Sequence, residues 1–329
     1  MFSFQPDPGR GNRLDQVVRR DFAASLETVL RAVAEQGAMD GPDVDRIVAE
    51  VARAGGAPGL IVAYAALVEA IFADAQDEVG DCLSTLLAVA GRPVPDGIRI
   101  VTLDDGILGA GQAHRYRRLF DDDPAAPLAM QPLDRAALDG TGETAAAGLD
   151  LLDRAAPELA GEIRAILREI VLARGVPVAG EETFQGASAF LAWGTVLLNA
   201  AEVPDRVAFA EVLAHETGHS LLSGFSRGAP LVENAPEERY SSPLRTDARP
   251  LDGIVHATYV LARMHYCLGR LSRSGLLTPA EQSRVAGDLG RRREAFAAGL
   301  AVVDGHARLT EVGRAAFEPA RAYMASLSS

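Results

Sequence analysis

The 329-residue chain contains no lysine: all 32 of its basic residues are arginine. Against 45 acidic residues they leave a formal net charge of −13. A nucleic-acid binder normally carries a basic face, so this balance argues against nucleic acid as a partner and equally against an anionic membrane surface. Cysteine is scarce, with only Cys82 and Cys267, far apart in the chain. That excludes a disulfide scaffold and a cysteine-based metal site. No uninterrupted apolar run reaches membrane-spanning length. The opening MFSFQPDPGRGNR lacks a basic region followed by an apolar one, so no secretory signal is read there. A reducing cytoplasm is the expected setting.

What the chain does have is helical periodicity. From about 13 to 36, Leu14, Val17, Val18, Phe22, Leu26, Val29, Leu30 and Val33 form one apolar stripe. Similar patterns cover roughly 42–54, 59–75 and 78–90. IRIVTL (98–103) reads as a short strand, and DDDP (121–124) and DGTG (139–142) as loop. A long helix is expected over about 144–173. ASAFLAWGTVLLNA (187–200) reads as one buried strand or a tight hairpin. Asp205 is placed to cap a following helix that exits near Gly224. A proline-rich loop fills 228–250, LDGIVHATYVLARMHYCLGRL is helical, and TPAEQ (278–282) opens another helix with a capping box. The expected fold is mainly α with a small β element. A helical N-terminal lobe spans 1–135 and a metal-binding lobe 136–329, with a soft boundary between them. In the second lobe a helix bearing the chemistry packs beside the short strand or hairpin and a second ligand-bearing helix.

The chemistry lies in AHETGHS (214–220). Residues four apart share one helix face, so His215 and His219 can offer two imidazole nitrogens to one ion, with Glu216 beside them. A third ligand is required. Glu233, Glu237, Glu238, Asp247, Asp252, His256 and His265 are the downstream candidates. One close-spaced metalloprotease pattern would place glycine and histidine where Leu222 and Phe225 stand, so that class is excluded. The glutamates fall in the proline-rich loop and read as a solvated turn. His256 and His265 are nine residues apart on one helix and face opposite ways, so at most one can face the ion. His256 is near the helix start, and His265 reads as a packed or solvated side chain. Gly253 and Gly218 each suggest a close approach next to a histidine, because glycine costs a helix about 1 kcal/mol relative to alanine. Arg249, seven residues before His256, would share its direction if the helix began there. An arginine so placed can grip a carboxylate with two parallel hydrogen bonds. Trp193, Asn199 and Tyr240 could line a pocket or serve as core aromatic, strand-end polar group and loop anchor. Arg291, Arg292 and Arg293 read as a solvated face.

Three segments carry a resemblance: WGTVLLNA (193–200), EVLAHETGHSLL (211–222) and YSSPLRTDARPLDGIVHATYVLARM (240–264). Together they resemble the HExxH-type α-ketoglutarate-dependent peptide β-hydroxylases, over roughly 185–270. HExxH alone is unspecific; followed by D-x-R-P and G-x-x-H it is far more so. The resemblance implies Fe(II), α-ketoglutarate and O₂ as the chemistry, with β-hydroxylation of a residue in a ribosomally made peptide precursor. It implies His215, His219 and His256 as metal ligands, and Arg249 suits the distal carboxylate of α-ketoglutarate. The commoner oxygenase set is two histidines and a carboxylate, so three histidines leave the role of Glu216 open: ligand, outer partner or proton handler. Two other readings stand beside this one. A zinc metallopeptidase would use Glu216 as general base, and a non-catalytic binding protein would use the metal only for stability.

Overall fold

A computed structural model describes residues 2–91, 96–121, 128–176, 184–242 and 248–327. The protein is 68% helix and 8% strand, mainly α with a small β element, as the patterning implied. The elements run α1 (Pro8–Glu35), α2 (Gly41–Ala52), α3 (Pro58–Phe72), α4 (Gln76–Ala90), β1 (Arg99–Thr102), α5 (Asp105–Leu108), α6 (Gln112–Phe120) and β2 (Met130–Pro132). They continue with α7 (Arg135–Ala155), α8 (Pro157–Ile166), β3 (Glu169–Gly175), β4 (Gly186–Ala187), β5 (Thr195–Asn199), α9 (Arg206–Ser226), α10 (Leu251–Arg273), α11 (Pro279–His306) and α12 (Glu311–Ser326). No described helix is long and apolar enough to cross a membrane.

The chain divides into two compact, discontinuous units. One comprises residues 1–10, 144–163 and 205–329; the other comprises 11–143 and 164–204. The second unit holds the whole sheet. β3 pairs in parallel with β1 and β5, β2 runs antiparallel to the end of β3, and β4 runs antiparallel to β5. Val101, Val171, Ala173 and Leu197 join Leu108, Tyr116 and Phe120 in the core of this unit.

Three local expectations are corrected. DGTG does not form a loop but lies inside α7, because Asp134 accepts the Ala137 amide at 2.9 Å and Ala145, Gly148, Leu151 and Leu152 bury one face. That burial offsets the glycine cost. The single helix expected over 144–173 stops at Ala155, and a new one starts at Pro157, which has no N–H to continue the ladder. Residues 169–175 then form β3, whose first five residues are all buried. A strand covered on both faces loses its alternation, so its apolar run looks like helix core. Of DDDP, residues 122–124 lie outside the described residues, as does Asp247.

The first unit positions the histidines. Asp205 caps α9, accepting the amides of Val207 and Ala208 at 2.9 and 3.1 Å. The helix runs past Gly224 and closes at Arg227, which sits at φ 54 in the left-handed region. Arg206 holds Glu281 with two bonds of 2.8 and 2.9 Å. Arg292 donates to Glu211 at 2.7 Å, so that arginine, expected on a solvated face, ties α11 to α9. The capping box at Thr278 and Glu281 is formed. α10 packs against α9, α11 and α12. At the α9–α10 crossing a Cβ on Gly218 would meet Val260 Cγ1 at 3.0 Å and Arg263 Cγ at 3.3 Å. Only glycine lets the two helices approach so closely. Gly253 does not repeat the pattern: nothing stands within 4 Å of the Cβ it lacks.

Candidate metal centre

His215 and His219 stand one turn apart on α9, with ring centroids 4.8 Å apart. His256 arrives from the first turns of α10 and stacks on His219, with centroids 5.5 Å apart and planes 16° from parallel. The spacing within AHETGHS dictates the first pair; the crossing at Gly218 brings in the third ring. His219 Nε2 lies 3.1 Å from His215 Nε2, and His219 Nδ1 lies 3.2 Å from His256 Nδ1. Metal–nitrogen bonds of about 2.0–2.1 Å put neighbouring ligand nitrogens roughly 3.0–3.4 Å apart, so each pair has the length of one edge of a coordination sphere.

The rings do not yet close on one point. Among the described residues, no three or more metal-ligating side chains are already gathered around one position. The geometry shows why: His219 turns one nitrogen to each neighbour, and a single imidazole cannot offer both to one ion. Closing the set requires one ring to rotate.

Electrostatics favour the ligand form. Burial holds His215 down to about 4, helped by the positive charge of Arg292. Burial, then the neighbouring His215 and His256, holds His219 well below the usual histidine value. Burial lowers His256 too, against the pull of Asp252. Neutral imidazole is the form that binds a metal. Donor type, spacing and charge state therefore fit a borderline divalent ion such as Fe(II) or Zn(II).

Two carboxylates stand close to the rings. Glu216, buried at 2% exposure, places Oε1 at 3.8 Å from His215 Nε2. Asp252 places Oδ2 at 3.8 Å from His256 Nε2, and its Oδ1 accepts the Leu231 amide at 2.6 Å. Met264 was not singled out in the sequence. Its Sδ lies 3.2 Å from His215 Nδ1, and its position eight residues after His256 was the available signal, since such spacing returns to one helix face.

Other expected residues fall elsewhere. α10 begins only at Leu251, after Pro250. Arg249 lies in a short antiparallel bridge with Tyr240, each amide donating to the other's carbonyl at 2.9 Å. The two-turn helical phasing between Arg249 and His256 therefore does not hold, because Arg249 is extended. The bridge fixes its backbone just before the helix that carries His256. His265 faces away and meets the Tyr323 hydroxyl at 3.1 Å. Glu233 and Glu237 are exposed, while Glu238 bonds Tyr240 and Asn234 within its own turn. Trp193 is buried and donates to Asp15 at 2.9 Å. Asn199 accepts the Gly175 and Ala201 amides and donates to the Phe184 carbonyl. Trp193 and Asn199 thus hold their own unit together.

Compared with known family models and with curated proteins, the chain matches none.

Proposed function

We propose that this chain is an Fe(II)- and α-ketoglutarate-dependent oxygenase that hydroxylates the β-carbon of a residue in a ribosomally made peptide precursor. The observation that carries the reading is the meeting of His215, His219 and His256 as three neutral, half-buried imidazoles. Such a donor set contributes no negative charge, so charge balance at a divalent ion falls to an anionic cosubstrate. Fe(II), when bound, would supply O₂-dependent oxidation of an unactivated C–H bond. The chain's own residues do the rest. The three imidazoles would hold the ion. Arg249 is assigned to the distal carboxylate of α-ketoglutarate, where a planar guanidinium makes two parallel bonds. Glu216, whose Oε1 lies 3.8 Å from His215 Nε2, the nitrogen turned toward His219, would handle a proton beside the ion.

The same 3.8 Å separation favours a second reading, a zinc metallopeptidase in which Glu216 takes the proton of an attacking water. The two diverge on cosubstrate. Anaerobic addition of Fe(II) and then α-ketoglutarate should produce a visible charge-transfer band, and Arg249→Ala should weaken it. Peptide cleavage that proceeds equally without O₂ and α-ketoglutarate would establish the hydrolase. A band untouched by Arg249→Ala would remove the role given to that arginine.

A further inference from the structure

Arg19, on α1, is fully buried at 0% exposure. Its Nε donates to Asp15 Oδ1 at 2.7 Å, but its terminal nitrogens Nη1 and Nη2 have no hydrogen-bond partner. A guanidinium does not shed its proton, so these N–H groups stay charged and need acceptors. Asp15 is already shared. It also accepts the Trp193 indole N–H at 2.9 Å and the Gly55 amide at 3.0 Å.

Two glycines locate the unanswered nitrogens. A Cβ on Gly194, which sits at φ 90, would meet Arg19 Nη2 at 3.2 Å and Pro58 Cγ at 3.3 Å. Nη2 therefore lies beside the first residue of α3. Ala57 gives that 15-residue helix no side-chain cap, and Pro58 has no N–H, so its positive end stands uncapped. A Cβ on Gly56 would meet Arg19 Nη1 at 3.3 Å, which puts Nη1 against the turn leading into α3. The backbone carbonyls near these two points belong to Glu50, Arg53 and Ile166, and none accepts from the Arg19 terminal nitrogens. On the same turn, a Cβ on Gly55 would meet Arg168 Nε at 2.5 Å and Nη2 at 2.8 Å.

The charges around this turn do not balance. Asp15 pairs with Arg19, and Glu50 pairs with Arg53. Arg168 donates to the Arg164 and Leu167 carbonyls and forms no ion pair among the described residues. Burial, together with the charges of Arg168 and Arg53, holds Arg19 below the usual guanidinium value against the pull of Asp15. One positive charge is left over where unanswered donors and a bare helix end meet.

We propose that Arg19, the turn at residues 53–57 and the start of α3 bind one small monovalent anion of the chloride type, held by Arg19 Nη1 and Nη2 and balancing Arg168. The packing favours a one-atom ion over a polyatomic oxyanion. At Gly55, Gly56 and Gly194 even a single added carbon would come within 3.3 Å of a guanidinium nitrogen. Every residue of the site belongs to the unit that holds the sheet, and the proposal does not depend on the metal reading above.

The test uses the full chain in gluconate buffer, with chloride added back at constant ionic strength. The thermal midpoint should rise with chloride along the curve for one ion bound only by the folded chain. Bromide should substitute, and anomalous diffraction from crystals grown in bromide should place a peak at Arg19 Nη1 and Nη2. Arg168→Gln should need about 10-fold more chloride for the same rise. Arg118→Gln, at an exposed arginine paired with Glu69, should keep the wild-type response. Arg19→Met should abolish it; if that variant does not fold, the diffraction peak decides. A midpoint indifferent to chloride overturns the proposal, as does water in place of bromide at Arg19. An Arg168→Gln variant with the wild-type response overturns it too. A bromide peak with no chloride effect on the midpoint marks an adventitious ion only, and that also overturns it.

Discussion

α10 carries two buried polar clusters of opposite character. Around Arg263, Glu162 accepts from Arg263 at 2.6 Å and from Arg10 Nε at 3.0 Å. All three side chains are at most 1% exposed. The cluster also takes in the Asp7 amide and the Phe4 carbonyl. Two turns earlier, His256 joins rings that bond mainly to one another and carry no charge. The first cluster is built of ions that need each other to be buried at all. The second is built of neutral groups that tolerate burial singly and have lone pairs to give. The contrast separates a structural device from a chemical one, and it can be broken experimentally.

The largest effect is expected at Glu162. Glu162→Ala leaves two buried guanidinium groups without their carboxylate and should cost about 3–5 kcal/mol, read as a lower urea midpoint. His256→Ala in metal-free protein should cost distinctly less, while abolishing any rise in thermal midpoint on adding Zn(II). If the two variants lose stability equally, the histidines are structural and the contrast fails.

An intermediate effect is expected with pH. The folded chain keeps His215 neutral down to about 4, whereas an ordinary histidine protonates near 6.5. Between those values the unfolded chain binds a proton that the folded chain refuses. The stability this histidine contributes should therefore be fully present above about 6.5 and lost progressively as pH drops to about 4. Urea unfolding of metal-free protein across this range checks the sign, and His215→Asn should flatten the fall.

The smallest effects distinguish two glycines. Gly218→Ala pushes a methyl against Val260 and Arg263 and should cost about 1–3 kcal/mol. Gly253→Ala meets open space and should stabilise the helix by about 0.5–1 kcal/mol. A destabilising Gly253→Ala would restore the close approach that the sequence suggested there.

Much was legible because it is local. Asp205 and Thr278 announced their caps through residue type and the amides that follow. His215 and His219 were paired by one turn of helix. The opposite facing of His256 and His265 followed from helical phase, and His265 indeed packs on Tyr323. Where pattern failed, the cause was burial or a break in phase. β3, covered on both faces, lost its alternation and read as helix. Arg249 lost its phase relation to His256 because Pro250 starts the helix after it.

By itself, then, the sequence determined a mainly helical chain with two histidines and a glutamate on one face of a helix, because those features depend on spacing within one element. Only the tertiary structure decided that His256 reaches His219, that Met264 and Asp252 terminate the row of rings, and that Glu162 rather than a histidine carries the buried charge. Those outcomes depend on how closely α9 and α10 approach at Gly218 and on which turns then face each other, and no spacing within a single helix encodes that distance.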